Sequence, residues 1–379
     1  MTEEFVIDGI KLKAELNPVT TAEGPFEVQS VPKPYSIEWL QNHASPVSLV
    51  NEDNSAIILI DKRIRKLWFE DLDSKTPCFE IDANEANKTI NSAIRFAEYM
   101  ESIGTTKANM VYVIGGGIMQ DIGAFACAMY KRGIPWTYLP TTLLGMVDSC
   151  IGGKTGLNHN TTKNLLALFA APRRIIHFLS FLDTLPRREL IAGYGEALRL
   201  HATGGHRFIE QFEAHVDDAI DGSLEALQTI ISGSLSVKRA VVEEDEFETS
   251  LRRSMNYGHS VGHAIEALTN FAVPHGMGIS IGVMVENMIA ASRFGLNSQQ
   301  AERINTQAAK LIDVAARSEL TAIDFSEINS VLKKDKKTIG NTLKLAVPVS
   351  LGEMKFHDFQ LDSESQSTIR RAFEESGLI

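Results

Sequence analysis

The sequence predicts a chain of two domains: an N-terminal α/β domain with a parallel, Rossmann-like sheet, and an all-α C-terminal domain. Between residues 55 and 142, short apolar runs alternate with segments of helical periodicity, which is typical of a parallel sheet covered by helices. Beyond about residue 185, nearly every segment has the 3.6-residue period of a helix. The length of 379 residues also fits two domains of ordinary size.

The apolar runs at 55–61 and 109–117 have the continuous hydrophobic character of strands that are buried on both faces. Residues 1–54 are mixed and polar, with several prolines, and indicate an N-terminal extension or edge strands. We therefore expect this extension to be followed by the α/β domain over 55–185 and the helical domain over 186–379. Further strands and helices of the α/β domain are expected at 78–82, 84–104, 118–133 and 134–142.

The composition is that of an acidic globular protein without secretory or membrane features. The formal net charge of -11 argues against a nucleic-acid-binding surface, because such surfaces are basic. There is no run of about 18 apolar residues, so we expect no membrane-spanning helix, and the acidic N-terminus lacks the apolar core of a signal peptide. Cys78, Cys127 and Cys150 are odd in number and widely spaced, which indicates reduced thiols. These features predict a cytoplasmic protein.

Three glycines follow the predicted strand that begins at residue 109. Gly115, Gly116 and Gly117 allow close approach of the backbone, and the N-terminus of the next helix offers free N–H groups to a phosphate. Asp121 lies one turn into that helix. The pattern differs from the GxGxxG fingerprint of an ordinary dinucleotide site. It favours either a nucleotide phosphate or a plain tight turn.

A second glycine-rich stretch, VDSCIGGKTGLNHNTTKN (147–164), carries several charged and amide side chains. These are Asp148, Lys154, Lys163 and Asn164. Glycines beside lysines suggest a cradle for phosphate or carboxylate, and the alternative is an exposed, solvated loop. The stretch lacks the full spacing of a P-loop. The basic run LKKDKK (332–337) likewise indicates either a solvated helix face or a phosphate contact.

Three histidines and one carboxylate in the C-terminal half have the chemistry of a metal site. His259 and His263 are four residues apart and share one face of a helix. His275 follows in PHGMG, and Glu196 lies in GYGEAL. Two histidines and a carboxylate are typical of catalytic zinc with an open fourth position. Spacing alone favours His259 and His263 as ligands, and the alternative is a group of hydrogen-bonded core histidines.

Taken together and in order, these segments resemble the dehydroquinate synthase family of sugar-phosphate cyclases. The resemblance spans roughly residues 55–350. The motifs that carry it are GGGIMQDIGAFACAMYKRG, LPTTLLGMVDSCIGGKTGLNH, the KN at 163–164, FLDTLPRRE, GYGEAL, LRRSMNYGHSVGHAIEAL, PHG and DKK.

The resemblance implies an enzyme that uses NAD and a divalent metal, normally zinc and alternatively cobalt. It also implies a homodimer that acts on a small sugar phosphate, with NAD on the α/β domain, the metal on the helical domain and the active site in a cleft. The implied metal ligands are Glu196, His259 and His275. This set differs from the choice made by spacing, because His263 matches a phosphate contact.

The other site residues implied by the resemblance fall into three groups. The positions that match NAD contacts are Asp61, Glu85, Lys88, Gly115, Gly116, Gly117, Asp121, Thr141, Thr142 and Thr184. The positions that match catalytic residues are Asp148, Lys154, Lys163, Arg199 and His263. The positions that match substrate contacts are Arg132, Lys154, Asn164, Lys238, Arg252, Asn256, His263 and Lys337, with Glu248 at a further polar position. Lys238 and Arg252 match a pair that holds a substrate carboxylate, and Arg132 matches an arginine that reaches across the dimer.

The implied reaction is that of a carbon–oxygen lyase: transient oxidation, elimination of phosphate, return of the hydride, ring opening and an intramolecular aldol closure. The carboxylate-binding pair favours 3-deoxy-D-arabino-heptulosonate 7-phosphate as the substrate, because a substrate without a carboxylate would leave two buried cations unpaired. This substrate would yield 3-dehydroquinate.

Two departures from the family pattern keep other functions open. Arg199 stands where the family has Lys, and Met277 stands where Glu is common. A related cyclase of secondary metabolism could therefore use the amino analogue, sedoheptulose 7-phosphate or glucose 6-phosphate. An NAD- and metal-dependent polyol dehydrogenase and a non-catalytic homologue are the alternatives from other classes.

Overall fold

A computed structural model gives the coordinates of the chain. It describes residues 1–16, 26–31, 33–40, 45–160, 162–335 and 337–379. Parts of the predicted N-terminal extension, and Lys336 of the basic run, therefore lie outside the described residues. The chain divides into two compact units, of which one contains Met1–Pro18 and Arg187–Ile379 and the other contains Val19–Pro186. We call them the helical unit and the α/β unit.

Strands and helices alternate in the first half of the chain, and helices dominate the second half. The strands are β1 (Thr2–Ile7), β2 (Ile10–Glu15), β3 (Phe26–Val28), β4 (Tyr35–Trp39), β5 (Ala56–Asp61), β6 (Cys78–Ile81), β7 (Met110–Gly115), β8 (Trp136–Pro140), β9 (Lys154–His159), β10 (Thr162–Phe169), β11 (Arg174–His177), β12 (Thr338–Ile339), β13 (Thr342–Ser350) and β14 (Glu353–Gln360). The α-helices are α1 (Pro46–Asn51), α2 (Lys62–Trp68), α3 (Ile90–Ser102), α4 (Gly117–Met129), α5 (Arg187–Gly204), α6 (His206–Ile220), α7 (Leu224–Glu244), α8 (His259–Leu268), α9 (His275–Arg293), α10 (Ser298–Lys310), α11 (Val314–Thr321), α12 (Ile328–Leu332) and α13 (Ser363–Glu375). Short 3₁₀ segments lie at Glu85–Asn87, Tyr130–Arg132, Leu179–Thr184, Leu251–Asn256 and Phe325–Glu327, and a π-helical turn lies at Gly145–Ser149. Among the described residues, no helix is long and apolar enough to cross a membrane.

Within the described ranges, the α/β unit is built on a seven-stranded sheet in the order β3-β4-β11-β8-β7-β5-β6. Its strands pair in parallel, apart from β3, which is antiparallel to β4. The apolar run predicted as a strand at 55–61 forms β5, whose first five residues are buried. Helix α4 packs on β5, β7 and β8. The predicted parallel α/β domain is confirmed.

The strand order places a crevice beside β5. The chain puts β6 on one side of β5 and β7 on the other, so the order of the parallel strands reverses there. In open α/β sheets, ligands bind outside the carboxyl ends of the strands at such a point. Because β5 ends at Asp61 and β7 ends at Gly115, residues predicted to contact a nucleotide lie at this edge.

The glycine-rich stretch at 147–164 is more regular than the predicted loop. Its second half enters β9, which pairs antiparallel with β10 in a two-stranded sheet. The strands approach closely at Gly156, where a Cβ atom would lie 2.9 Å from Cβ of Asn164. The sequence did not predict this hairpin, because glycine and asparagine have low strand propensity and interrupt the alternating pattern.

The helical unit confirms the predicted helical second domain, with one correction. The unit is not all-α: its described residues also form a five-stranded sheet in the order β12-β13-β14-β1-β2. In that sheet β1 pairs in parallel with β14, with Val6 opposite Glu353. Local periodicity could not predict the sheet, because its strands come from opposite ends of the chain.

The segment predicted as an N-terminal extension or edge strands is divided between the two units. Residues 1–16 contribute β1 and β2 to the helical unit, where β2 is an edge strand. Strands β3 and β4 belong to the α/β unit, where β3 is an edge strand. The domain boundary expected after residue 185 lies next to the division between Pro186 and Arg187.

Gly123 of α4 lies where this helix packs closely on the sheet, so a substitution there can test the closeness of the packing. A Cβ atom at Gly123 would lie 2.5 Å from Cγ2 of Val113 and 3.2 Å from Cδ2 of Leu59. We expect Gly123→Ala to lower the free energy of unfolding by about 1–3 kcal/mol, since the added methyl overpacks the core. Gly117→Ala on the same helix is the control, because its nearest foreign atom is 3.9 Å away. Urea unfolding without ligands would measure both, and equal stabilities would contradict the close packing.

Candidate active site

The crevice of the α/β unit is lined by glycine where β7 ends and α4 begins. Gly115 has φ +154°, and a Cβ atom at Gly116 would lie 2.9 Å from Cγ2 of Thr142. Within the described residues, no side chain caps the N-terminus of α4. The first N–H groups of a helix have no partner inside the helix, so these groups can bind a phosphate. This backbone cradle, which a side chain would fill, fits the predicted pyrophosphate position.

Three more of the predicted NAD contacts, Asp61, Thr141 and Thr184, have hydrogen-bond partners within the α/β unit. Asp61 ends β5 and accepts a hydrogen bond from the Arg63 backbone N–H (3.2 Å). The Thr141 backbone N–H donates to the Gly115 carbonyl (3.0 Å), which joins the end of β8 to the glycine turn. The Thr184 hydroxyl is hydrogen-bonded inside the α/β unit, where its Oγ1 accepts from Nε1 of Trp68 (2.9 Å). The cofactor roles of these residues stay predictions.

A polar network connects three of the predicted NAD contacts, Glu85, Lys88 and Asp121, with the β9–β10 hairpin. The Lys88 ammonium lies 2.6 Å from Asp121 and donates to Asn164 Oδ1 (2.8 Å). Asn158 donates to Glu85 Oε2 (2.7 Å), and its own Oδ1 accepts from the Asn164 N–H (3.0 Å). Four residues that were predicted separately, on β6–α3, α4 and β10, therefore form one cluster through Asn158.

Burial dominates the electrostatics of this cluster. It raises the pKa of Asp121, and the adjacent Lys88 ammonium and the Gly156 N–H act in the opposite direction. The lysine thus offsets part of the effect of burial, which it can do only from hydrogen-bonding distance. Lys154 and Lys163 are exposed on the hairpin, Asp148 lies in the π-helical turn, and Arg132 is exposed beyond the end of α4.

The helical unit brings Glu196, His259 and His275 together. Glu196 Oε1 lies 3.1 Å from Nε2 of His275 and 3.6 Å from Nε2 of His259. Glu196 projects from the middle of α5, His259 is the first residue of α8, and His275 is the first residue of α9. One carboxylate oxygen and two Nε2 atoms thus converge from three helices. This donor set fits zinc or cobalt.

The Nδ1 atoms of His259 and His275, on the ring side away from Glu196, have hydrogen-bond partners of their own. Nδ1 of His275 lies 2.6 Å from Oε1 of Glu266, and Nδ1 of His259 lies 3.2 Å from the Tyr257 carbonyl oxygen. Metal-binding histidines usually donate their second ring N–H to a carboxylate or carbonyl, which fixes the tautomer and leaves the other nitrogen for the metal. These contacts leave Nε2 of both rings directed at Glu196.

His263 belongs to the same cluster. Ligand atoms of His259, His263 and His275 all lie within 4.8 Å of one another. His263 retains some exposed surface, and its ring stacks on His275 with a centroid distance of 5.6 Å. The structure thus brings together both predicted groups: His259 with His263, which spacing favours, and Glu196 with His259 and His275, which the resemblance implies. His263 lacks the Nδ1 partner that the other two histidines have among the described residues, which favours Glu196 as the third ligand.

Glu196 is also paired with Arg199, one turn along α5. The Arg199 Nε–H donates to Glu196 Oε2, and both side chains are buried. Burial alone would raise the pKa of Glu196, but the Arg199 guanidinium and the hydrogen bond from His275 outweigh it and lower the pKa to about 2. Arg199 thus engages one carboxylate oxygen and leaves the other facing the histidines. Met277, the second departure from the family pattern, is fully buried in α9.

The three ring pKa values diverge within this cluster. Burial and the Arg199 charge lower the pKa of His259 well below its ordinary value, and burial and His275 lower that of His263 to about 4. Burial opposes the charge of His275 too, but Glu196 and Glu266 raise its pKa to about 10. The cluster therefore concentrates its negative charge around His275.

A cavity of about 690 Å³ in the helical unit contains two of the predicted phosphate contacts, Asn256 and Lys337. Glu248 also lines the cavity and accepts a hydrogen bond from Asn256 Nδ2 (3.3 Å). The Lys337 ammonium lies 3.0 Å from Asp335 within the basic run. These positions place the three polar residues around one space large enough for a small phosphorylated substrate.

Lys238 and Arg252, the predicted carboxylate-binding pair, are both buried in the helical unit. Lys238 lies on α7, and Arg252 lies in the 3₁₀ segment before α8. Asp245 stabilises the conformation of the loop between them. Its carboxylate accepts hydrogen bonds from the backbone N–H groups of Thr249, Ser250 and Arg252, each at 2.9 Å. Burial opposes the charge of Asp245, but these bonds lower its pKa to about 2.

Sequence reasoning missed several polar residues that position the site. They are Asn158, Asp245, Tyr257, Glu266 and Glu286. None of them lies in a pattern with a recognised chemistry, because each acts through another residue. The only signal for Glu266 was its location on the helix that carries His259 and His263.

Comparison with solved structures establishes the class of fold. 2-Epi-5-epi-valiolone synthase from Streptomyces hygroscopicus subsp. jinggangensis 5008, solved with NAD⁺ and Zn²⁺ bound, is 22% identical, with a TM-score of 0.77 over 93% of this chain and 99% of that one. 2-Deoxy-scyllo-inosose synthase, complexed with carbaglucose-6-phosphate, NAD⁺ and Co²⁺, is 20% identical, with the same TM-score and coverage. The chain has the fold of these cyclases.

Comparison of sequences establishes the family. The profile of the 3-dehydroquinate synthase N-terminal domain matches residues 78–192, and that of the 3-dehydroquinate synthase C-terminal domain matches residues 193–338. A 3-dehydroquinate synthase of Streptococcus pneumoniae (strain ATCC 700669 / Spain 23F-1) is 32% identical over 332 residues, which are 86% of this chain and 91% of the relative. The chain therefore belongs to the dehydroquinate synthase family, as the resemblance predicted.

The Asp245 loop gives a stability prediction with a defined pH dependence. We expect Asp245→Asn to lower the free energy of unfolding by about 2 kcal/mol at pH 7, because one amide oxygen cannot accept all of the backbone N–H bonds. The pKa of Asp245 is lower in the folded chain than its ordinary value of 3.8. Its stabilisation is therefore complete above about pH 4 and is lost as the pH falls towards about 2. Urea unfolding at pH 7 and pH 3 would test this, and a difference between variant and wild type that does not shrink at pH 3 would contradict it.

Proposed function

We propose that the protein is an NAD- and divalent-metal-dependent sugar-phosphate cyclase that acts as a 3-dehydroquinate synthase on 3-deoxy-D-arabino-heptulosonate 7-phosphate. The observation that carries the proposal is the convergence of Glu196 Oε1 with Nε2 of His259 and His275, whose other ring nitrogens are held by a carboxylate and a carbonyl. Membership of the dehydroquinate synthase family supports the class of reaction. Relatives solved with NAD⁺ and Zn²⁺ or Co²⁺ support the cofactors.

Glu196, His259 and His275 would hold the metal, and Gly115–Gly117 with the N-terminus of α4 would hold the NAD pyrophosphate. Bound metal supplies a Lewis acid that lowers the pKa of a substrate hydroxyl, and bound NAD accepts and returns a hydride. Arg199 keeps Glu196 ionised by pairing with Oε2, so that Oε1 stays available as a ligand. The chain thus prepares an anionic oxygen donor in a fully buried position.

The phosphate end of the substrate would contact Asn256, Lys337 and His263. The lowered pKa of His263 keeps its ring neutral near pH 7, so one ring N–H can donate to a phosphate oxygen without an added charge. Lys337 supplies a positive charge at the cavity, and Asn256 supplies amide donors. Lys154 and Asn164 of the α/β unit are proposed as further substrate contacts. These groups orient the leaving phosphate and stabilise its charge.

The choice of a sugar acid rests on Lys238 and Arg252. Both cations are buried in the helical unit, and Arg252 also donates to the Glu246 carbonyl oxygen. By the resemblance, this pair would hold a substrate carboxylate through charge-assisted hydrogen bonds, whereas neutral sugars such as those proposed for related cyclases offer only hydroxyls. We also propose, on the resemblance alone, that the protein is a cytoplasmic homodimer to which Arg132 contributes across the interface.

The first experiment measures phosphate release from 3-deoxy-D-arabino-heptulosonate 7-phosphate with NAD and zinc. We expect phosphate without net NADH, 3-dehydroquinate in the NMR spectrum, and loss of turnover by at least about 100-fold in His259→Ala, since a catalytic metal ligand is removed. Stoichiometric NADH would instead indicate a polyol dehydrogenase. Absence of turnover would contradict the proposed substrate, and sedoheptulose 7-phosphate, glucose 6-phosphate and the amino analogue would then be tested.

A second experiment tests the carboxylate contact. We expect Lys238→Met to raise KM for the sugar acid phosphate by about 10- to 100-fold, because a charge-assisted hydrogen bond of about 1.5–3 kcal/mol is lost. Lys310→Met is the control, since Lys310 pairs with Asp217 on the surface of the same unit. Steady-state phosphate release gives KM and kcat for both variants. An unchanged KM in Lys238→Met would remove the argument for a carboxylated substrate.

A further inference from the structure

The helix that begins with His259 has no side chain of its own to cap it. The residue at its N-cap is Gly258, which has φ +79° and no side chain that could accept a hydrogen bond. Ser, Thr, Asp or Asn usually occupies this position and accepts an N–H bond from the first turn. Without such a residue, the first N–H groups of α8 need a partner from elsewhere.

Close packing against α9 explains why Gly258 carries no side chain. A Cβ atom at Gly258 would lie 2.8 Å from Cγ2 of Val283 and 2.9 Å from the Ile279 carbonyl oxygen. On the facing helix, a Cβ atom at Gly282 would lie 1.8 Å from the Gly258 carbonyl oxygen. The two backbones are therefore in direct contact, and a capping side chain at Gly258 has no space.

Glu286 of α9 supplies the missing cap. Its Oε2 accepts from the Gly258 N–H (2.7 Å), and its Oε1 accepts from the Val261 N–H (3.1 Å). In a capping box, the N-cap side chain accepts from the third helical residue, and that residue's side chain accepts from the N-cap N–H. A single carboxylate from a second helix makes both of these bonds here. Glu286 is fully buried, and its carboxyl group lies at the N-terminal end of α8.

The next residue on α9, Asn287, anchors the residue two places before His259. The Tyr257 hydroxyl donates to Asn287 Oδ1 (2.6 Å), and the Tyr257 carbonyl oxygen lies 3.2 Å from Nδ1 of His259. Asn287 is itself anchored by a hydrogen bond to Asn305 (2.9 Å). Glu286 therefore holds backbone N–H groups on both sides of His259, and Asn287 anchors the side chain of Tyr257, the residue whose carbonyl faces the His259 ring.

We propose that Glu286 is a positioning residue for the metal site. Through the Gly258 and Val261 N–H groups it fixes the start of α8, so that Nε2 of His259 is directed at Glu196 and a divalent cation. This inference rests on the metal site of the proposed function, and it adds a residue that touches neither the metal ligands' side chains nor the substrate. Loss of the cap would let the first turn of α8 fray and would misplace one ligand.

The test compares Glu286→Gln with the wild-type protein in cobalt binding. The amide keeps the volume of the side chain but can accept from only one N–H group, and its NH₂ faces the other donor. We expect the Co²⁺ dissociation constant, measured by competition with a chromophoric chelator, to rise about 10- to 100-fold, as is usual when an outer partner of a ligand is lost. We also expect a changed d–d absorption spectrum and faster amide exchange over residues 258–261.

Asp362→Asn is the matched control. Asp362 is the N-cap of α13 in the same unit and accepts from the Ser365 N–H (2.9 Å), so this variant also replaces a capping carboxylate with an amide. Asparagine caps a helix about as well as aspartate, so this variant should keep near wild-type stability together with the wild-type cobalt affinity and spectrum. The proposal is overturned if folded Glu286→Gln binds cobalt as the wild type does, or if both variants weaken binding equally. A wild-type protein that binds cobalt but turns over no sugar acid phosphate contradicts the proposed substrate alone.

Discussion

Direct contact between helix backbones is the constraint on which the cluster of Glu196, His259 and His275 depends. Cβ atoms would lie 2.0 Å from the Gly276 carbonyl oxygen if built on Gly195, and 1.7 Å from the Ala192 carbonyl oxygen if built on Gly276. The contact of Gly282 with Gly258 joins α9 to α8 in the same way. Each predicted ligand is the sequence neighbour of one of these glycines: Glu196 follows Gly195, His259 follows Gly258, and His275 precedes Gly276. The ligands can converge because glycine lets their helices approach, and any larger residue would separate the donors.

This constraint explains what the sequence could and could not predict about the site. The resemblance predicted Glu196, His259 and His275 as ligands, because ligands must be particular residue types at particular places, and the structure brings the three side chains together. The resemblance did not identify Glu266 or Glu286, because a residue that orients a ligand needs only a hydrogen-bonding group within reach, and several helix positions could supply one. Such partners become visible only when the packing of α8 on α9 is known.

The fold, too, was predictable from the sequence only in part. The parallel sheet was predictable from its apolar runs, because strands buried on both faces, such as β5, have a continuous hydrophobic signature. The sheet of the helical unit was not, since its pairing of Val6 with Glu353 joins residues far apart in the sequence. The β9–β10 hairpin was missed for a third reason: its glycine and asparagine serve close strand approach and the Asn158–Asn164 contact, and both residue types argue against a strand.

The order of the two units along the chain has a consequence for synthesis. The α/β unit occupies an insertion between Pro18 and Arg187, so all of its strands leave the ribosome before the helical unit can be completed. The hairpin β1–β2 precedes the inserted unit along the chain, whereas its partner β14 follows that unit. Phe5 and Ile7, which are buried in the complete unit, therefore lack the residues of the later segments that cover them until those segments have been synthesised. The five-stranded sheet can thus form only after β12, β13 and β14 have left the ribosome.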